Sequence, residues 1–267
     1  MGIKLFLRSN IEYLYSLRNL KALFFTMTTD TSWLSRTSLL IGETALQQLT
    51  HAHVMIVGLG GVGSFAAEFI ARSGIGKMTI IDGDVVDPSN RNRQLPALAT
   101  NHGQSKALIM AERLKAINPE IELNVIKEFV QPEMVAEQLL TKPDYIIDAI
   151  DSITPKITFI KMAFDSGLPL VSSMGAGAKL DPTRLQVVDI SKTYNCPFAQ
   201  QIRKQLNSKY QIKRGIKVVF SPENIIKESL MLTDGRNFKK SAYGTISYLP
   251  AVFGATVASV AIRDLIS

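Results

Sequence analysis

Arg93 and Lys106 follow a glycine-rich turn and a carboxylate at short range, and together these groups describe a site for a polyphosphate. The turn is Gly58-Leu-Gly-Gly-Val-Gly63, whose glycines are Gly58, Gly60, Gly61 and Gly63. Gly58 allows a tight turn, Gly60 lets backbone approach a phosphate, and Gly63 lets helix and strand pack closely. A helix starting there offers free N–H groups and a positive dipole end to an anion. Asp82 ends the next apolar run, where a carboxylate can accept hydrogen bonds from ribose hydroxyls. A dinucleotide needs one acid and little else at this point. Arg93 and Lys106 add two cations at the phosphate end, which implies more negative charge, such as a triphosphate. Arginine can grip phosphate oxygens bidentately, and lysine supplies a point charge. Asp151, at the end of a neighbouring strand, is placed to bind Mg²⁺, which bridges phosphate oxygens. The ligand expected is therefore a nucleoside triphosphate with Mg²⁺. An NAD-dependent oxidoreductase shares the turn and the acid but leaves both cations unexplained.

These groups need a frame that brings loops distant in sequence to one edge. Apolar runs Val54–Val57, Met78–Asp82, Glu122–Ile126, Tyr145–Asp148 and Leu168–Ser172 read as strands. Helical patterns cover Ser38–Leu49, Ser64–Arg72, Gly103–Ile117, Pro132–Leu140 and a segment from Pro155 to near Gly167. Alternation of this kind predicts an α/β fold, a Rossmann-like, doubly wound and mostly parallel sheet. Ligands of such sheets bind beyond the carboxyl ends of the strands, where segments 58–63, 82–94, 148–152 and 172–179 fall. Three regions result: an N-terminal extension (1–32), a nucleotide-binding core (33–182) and a smaller mixed, basic C-terminal region (183–267) completing the same domain. In the last, Arg184–Ile190 and Lys217–Ser221 read as strands and Phe198–Leu206 as a helix.

The net charge is +7 over 267 residues, which suits a polyanionic partner such as RNA or an anionic membrane surface, without choosing between them. Arg203, Lys204, Lys209, Lys213, Arg214 and Lys217 form a run without an acid, and Arg236, Lys239 and Lys240 a second basic loop. Cys196 is the sole cysteine, so intrachain disulfides and cysteine-based zinc sites are excluded, and a reducing cytoplasm is the expected compartment. His51, His53 and His102 lack ligand spacing. The first 26 residues, rich in Leu, Phe and Tyr, are read as disordered or as a start-site artefact before Met27. Tyr248–Ile262 is apolar but short for a span and is read as a buried helix, so no stable membrane insertion is expected.

The order Gly-x-Gly-Gly-x-Gly, Asp-x-Asp, Ser-Asn-x-x-Arg-Gln, Gly-x-x-Lys and Asp-x-x-Asp stands here as Gly58–Gly63, Asp82 and Asp84, Ser89–Gln94, Gly103–Lys106 and Asp148–Asp151. It resembles the adenylating superfamily of ubiquitin-activating enzymes, sulfur-carrier adenylyltransferases and a tRNA-modifying branch. Trp33–Gly42, Asn90–Ala97, Ala149–Ser152, Gly175–Pro182 and Phe220–Pro222 are similar to that branch, the tRNA threonylcarbamoyladenosine dehydratases. The resemblance implies that Asp82, with Asp84 beside it, holds the ribose, and that Asn90, Arg93 and Lys106 line the triphosphate. It also implies that Asp151 coordinates Mg²⁺ and that Arg36 reaches into a partner subunit's site, hence a homodimer. The implied activity is ATP-dependent cyclisation of threonylcarbamoyladenosine in tRNA, with a sulfur-acceptor or redox helper protein as a further partner. The alternative is an adenylyltransferase acting on the C-terminus of a small carrier protein, against which the missing zinc cysteines and the basic second half argue. Cys196 is a poor thioester nucleophile.

Overall fold

A computed structural model describes residues 31–232 and 241–267. Chain contacts separate residues 1–35 from a compact unit, residues 36–267, and the site lies in the latter. The expectations for residues 1–26 and for the basic loop at Arg236, Lys239 and Lys240 lie outside the described residues.

The helices are α1 (Ser35–Ile41), α2 (Glu43–His51), α3 (Gly63–Arg72), α4 (Lys106–Ile117), α5 (Pro132–Leu140), α6 (Ile153–Asp165), α7 (Pro197–Tyr210) and α8 (Tyr248–Leu265). The strands of the main sheet are β1 (His53–Val57), β2 (Lys77–Ile81), β3 (Glu122–Ile126), β4 (Tyr145–Asp148), β5 (Leu170–Ser173), β6 (Gln186–Asp189) and β7 (Lys217–Phe220). A separate hairpin pairs β8 (Leu230–Leu232) with β9 (Ser241–Tyr243). The main sheet runs β3-β2-β1-β4-β5-β7-β6, and every pairing is parallel except β6 on β7. All of β1 is buried, as expected for a strand covered on both faces.

Register sets the site. Val57 lies beside both Ile81 and Asp148, and Asp148 beside Ser172. The loops after β1, β2, β4 and β5 therefore leave the sheet at one level. The strand order turns outward in opposite directions from β1 and β4, which makes their junction the switch point where a crevice opens.

Helix α8 is long and apolar enough to cross a membrane, yet Leu249, Phe253, Val257, Val260 and Ala261 are buried in the core it shares with α3 and the sheet. The fit is close: a Cβ on Gly254 would lie 2.5 Å from the Val62 carbonyl oxygen.

Two helix expectations change. Ser38–Leu49 is not one helix, because Gly42, at φ +84°, ends α1 before α2 begins. Helix α4 starts at Lys106 rather than Gly103. Residues 103–105 instead fold back on the loop after β2, with Gly103 N–H on Val86 O (2.8 Å) and Val86 N–H on Gln104 O (2.9 Å).

Candidate active site

The glycine turn is shaped by contact. At Gly58, which has φ +88°, a Cβ would sit 2.8 Å from the Ala149 carbonyl oxygen of the loop after β4. A Cβ on Gly63 would meet Gly58 O at 1.7 Å, and one on Gly61 would meet Pro250 Cβ at 2.9 Å. The turn is thus pressed against the Asp148–Ser152 loop and the start of α8.

Asp82 ties this turn to the acidic loop. Its carboxylate accepts from Leu59 N–H (2.6 Å) and Asp84 N–H (2.7 Å). Burial pushes its carboxyl above the ordinary aspartate value, opposed by Lys106 and those two N–H donors. Each carboxylate oxygen retains a lone pair for a further donor. Lys106 opens α4 with its side chain almost wholly buried, and its ammonium stands 3.1 Å from the half-exposed Asp84 carboxylate. Lys106 N–H also donates to Asp84 O (3.1 Å), which fixes the helix start beside the acids.

Arg93 follows the short 3-10 turn Pro88–Asn90. Asp87 caps that turn, and the Asn90 side-chain oxygen accepts from Asp87 N–H (3.1 Å). Arg93 donates to Ser89 O (2.8 Å) and to Asn92 Oδ1 (2.7 Å), while Asn92 Nδ2 donates to Thr245 O (2.9 Å). Burial lowers the Arg93 guanidinium, opposed by the charges of Asp151 and Asp87. Arg93 thus stands in the field of Asp151, and Lys106 beside Asp82 and Asp84, at the ends of β4 and β2, the two strands that flank β1. Arg36 stands exposed on α1 and takes no part in these bonds.

Beneath Asp151 lies a buried ion pair that the sequence pattern concealed. Lys156 Nζ is 2.8 Å from Asp148 Oδ2, and both side chains are fully inaccessible. Asp148 also accepts from Ser172 Oγ (2.7 Å) and Ile150 N–H (3.0 Å), and Lys156 donates to Ile150 O (3.0 Å). The pair pins the loop that presents Asp151. Burial lowers the Lys156 ammonium, and the Asp148 charge opposes this. The one available signal was a lysine opening the apolar stretch Lys156–Ile160.

A second buried lysine, Lys179, joins the loop after β5 to the end of β7. Its Nζ donates to Ser221 O (2.7 Å) and Gly175 O (3.2 Å) and lies 3.6 Å from Cys196 Sγ. Cys196 is itself buried. No cluster of metal-ligating side chains occurs among the described residues, and His53 is a core residue bonded to Thr79 Oγ1 (2.8 Å). The basic run is thinner than its sequence suggests. Arg203 turns inward to Thr193 O (2.6 Å) and Lys217 pairs with Asp264, while Lys204, Lys209, Lys213 and Arg214 are exposed.

A family model described as ThiF family matches residues 34–267. The chain belongs to the ThiF family. Among curated members, the tRNA threonylcarbamoyladenosine dehydratase of Bacillus subtilis is 40% identical over 239 residues, spanning 87% of this chain and 94% of that protein. The crystal structure of the Escherichia coli tRNA N6-threonylcarbamoyladenosine dehydratase in complex with ATP matches with a TM-score of 0.81 at 39% identity, covering 88% of this chain and 94% of that one. Its complex with AMP matches with a TM-score of 0.81 at 39% identity, covering 90% and 98%. The matched residues, 34–267, include the glycine turn, the loops after β2 and β4, and the strands β6 and β7.

Proposed function

We propose that this ThiF-family chain is an ATP-dependent tRNA threonylcarbamoyladenosine dehydratase. The observation that carries the proposal is the convergence of Arg93, Lys106, Asp82 and Asp151 at the β1/β4 switch point, on a chain similar over most of its length to dehydratases of that name. Gly58, Gly60, Gly61, Gly63, Asp82, Asp84 and Asn90 form the nucleotide cradle, and Arg93 and Lys106 meet the phosphates. Asp151 is an exposed carboxylate beyond a strand end, in the field of Arg93. One carboxylate fits Mg²⁺, which commonly takes one or two protein carboxylates and completes its shell with phosphate oxygens and water. When bound, Mg²⁺ would neutralise phosphate charge.

The carboxylate of the threonylcarbamoyl group is a poor acyl donor, since its leaving group would be oxide. Attack by its oxygen on the α-phosphorus of ATP gives an acyl-adenylate and releases pyrophosphate. A nitrogen or oxygen of the same side chain then closes on the activated carbonyl, and AMP leaves. Ring closure is intramolecular and requires no enzyme nucleophile. This agrees with a buried Cys196. Arg93 and Lys106 act by positioning and by stabilising charge as it develops. The exposed cations Lys204, Lys209, Lys213 and Arg214 form a surface for the tRNA backbone, and the compartment is the cytoplasm. Pyrophosphate release tests the proposal: it is expected from ATP with threonylcarbamoylated tRNA and not with unmodified tRNA. Equal release from both would refute it.

The working form is a homodimer in which Arg36, exposed on α1, acts on the partner's ATP. Mixing Arg36→Ala with Lys106→Met subunits, each inactive alone, gives heterodimers with one doubly lesioned and one intact site. Random exchange should restore activity to roughly a quarter of wild type. Absence of recovery despite demonstrated exchange would place Arg36 outside the partner's site.

A further inference from the structure

Gln94 closes the charged segment after β2, and none of the roles above employs it. Its side-chain oxygen Oε1 is the one fully buried side-chain polar atom among the described residues that lacks a hydrogen-bond partner. Buried polar groups are nearly always paired, and each exception calls for a reason. The neighbouring Asn90, Asn92 and Arg93 all make side-chain hydrogen bonds to the chain, so the surroundings do not lack partners.

A second observation concerns Gly60, against which the Gln94 amide lies. A Cβ built on Gly60 would meet only that amide, at 3.7 Å from Nε2 and 3.9 Å from Cδ, which is ordinary contact. Its backbone is not left-handed either. Gly58, Gly61 and Gly63 are glycine because protein atoms would collide with a side chain, whereas Gly60 is not required by any protein contact. The absence of a side chain at Gly60 leaves a recess in the turn whose wall is the Gln94 amide, with the Nε2 end toward Gly60.

We infer that Gln94 is a ligand-contacting residue: its Nε2–H donates to a phosphoryl oxygen of the nucleotide resting over Gly60. Oε1 is the buried end of the amide, so Nε2, the positive end of its dipole, is the end that faces that oxygen. No internal hydrogen bond competes for the donor, so it is available to an anion. A phosphoryl oxygen accepts and never donates, which matches the end that faces the recess. The inference rests on the nucleotide reading of the site.

The test compares Gln94→Met and Gln94→Glu with wild type, by calorimetric titration with MgATP and by thermal unfolding without nucleotide. Neither measurement involves tRNA. Methionine keeps the length of the side chain and removes both the orphaned oxygen and the donor. Its melting temperature should equal that of wild type or exceed it by about 2–4 °C, while affinity for MgATP falls about tenfold or more, as for loss of a hydrogen bond to a charged group. Glutamate keeps the shape but sets a negative charge over the recess, and should bind more weakly than methionine. Wild-type affinity in Gln94→Met overturns the inference and leaves the nucleotide reading intact. A fall in melting temperature matching the loss of affinity in both variants would make Gln94 structural and also overturn it. Failure of the wild-type protein to bind MgATP would instead sink the nucleotide reading.

Discussion

Lys156→Met should lower the unfolding free energy by about 3–5 kcal/mol, the usual cost of leaving one member of a buried ion pair without its counter-charge. Asp148 would remain wholly buried, keeping Ser172 Oγ and Ile150 N–H but losing the ammonium at 2.8 Å. Asp148→Asn in the same background should recover more than half of that loss. The double variant removes both charges and retains an acceptor for Ile150 N–H. Urea unfolding of the single and double variants provides the measurement. A cost below about 1 kcal/mol for Lys156→Met would mean that the pair is not the anchor described. The pair also bears on activity. Lys156 holds the Ile150 carbonyl one residue before Asp151 and lies within reach of the Asp151 charge. Folded Lys156→Met protein should accordingly need more Mg²⁺ for half-maximal pyrophosphate release.

What the sequence disclosed and what it hid divide along the physics of the sheet. β3, α5 and β4 match their expected bounds, because apolar runs and a proline at the helix start leave little choice. The glycine turn and Asp82 were legible for a similar reason, since close packing at Gly58 and Gly63 permits no side chain. Periodicity could not show the break at Gly42. A glycine inside a helical pattern is tolerated often enough that only its left-handed φ distinguishes the two cases. Nothing in the sequence around Lys156 marks it as buried, and only the parallel register of β4 and β5 reveals Asp148 and Ser172 around it. Arg203 and Lys217 counted toward a basic surface in sequence, yet Thr193 and Asp264 take them up in the fold. Partners that lie far away in sequence are what composition does not contain.

Lys106→Met and Arg93→Ala should each reduce pyrophosphate release by about 10²-fold or more, because removing one preorganised charge contact commonly costs a few kcal/mol in the transition state. Their effects on stability should differ. A cation in the first turn of a helix opposes the helix dipole, and Lys106 occupies the first position of α4 with its side chain buried. Asp84, its ion-pair partner, is half-exposed and can be solvated when the ammonium is gone, and the buried Asp82 keeps the Leu59 and Asp84 N–H donors and can take up a proton. Methionine keeps the apolar stem, so Lys106→Met should melt at or above the wild-type temperature while losing activity. That combination identifies a residue placed for a ligand at the expense of local stability. Arg93 is fastened to Ser89 O and Asn92 Oδ1, so Arg93→Ala should loosen the 89–94 segment and melt slightly lower. Arg93→Lys should recover little activity, since an ammonium cannot reproduce the planar two-oxygen grip. Full activity in Lys106→Met would place the triphosphate elsewhere. A loss of activity tracking a loss of folded protein would reduce Lys106 to a packing residue.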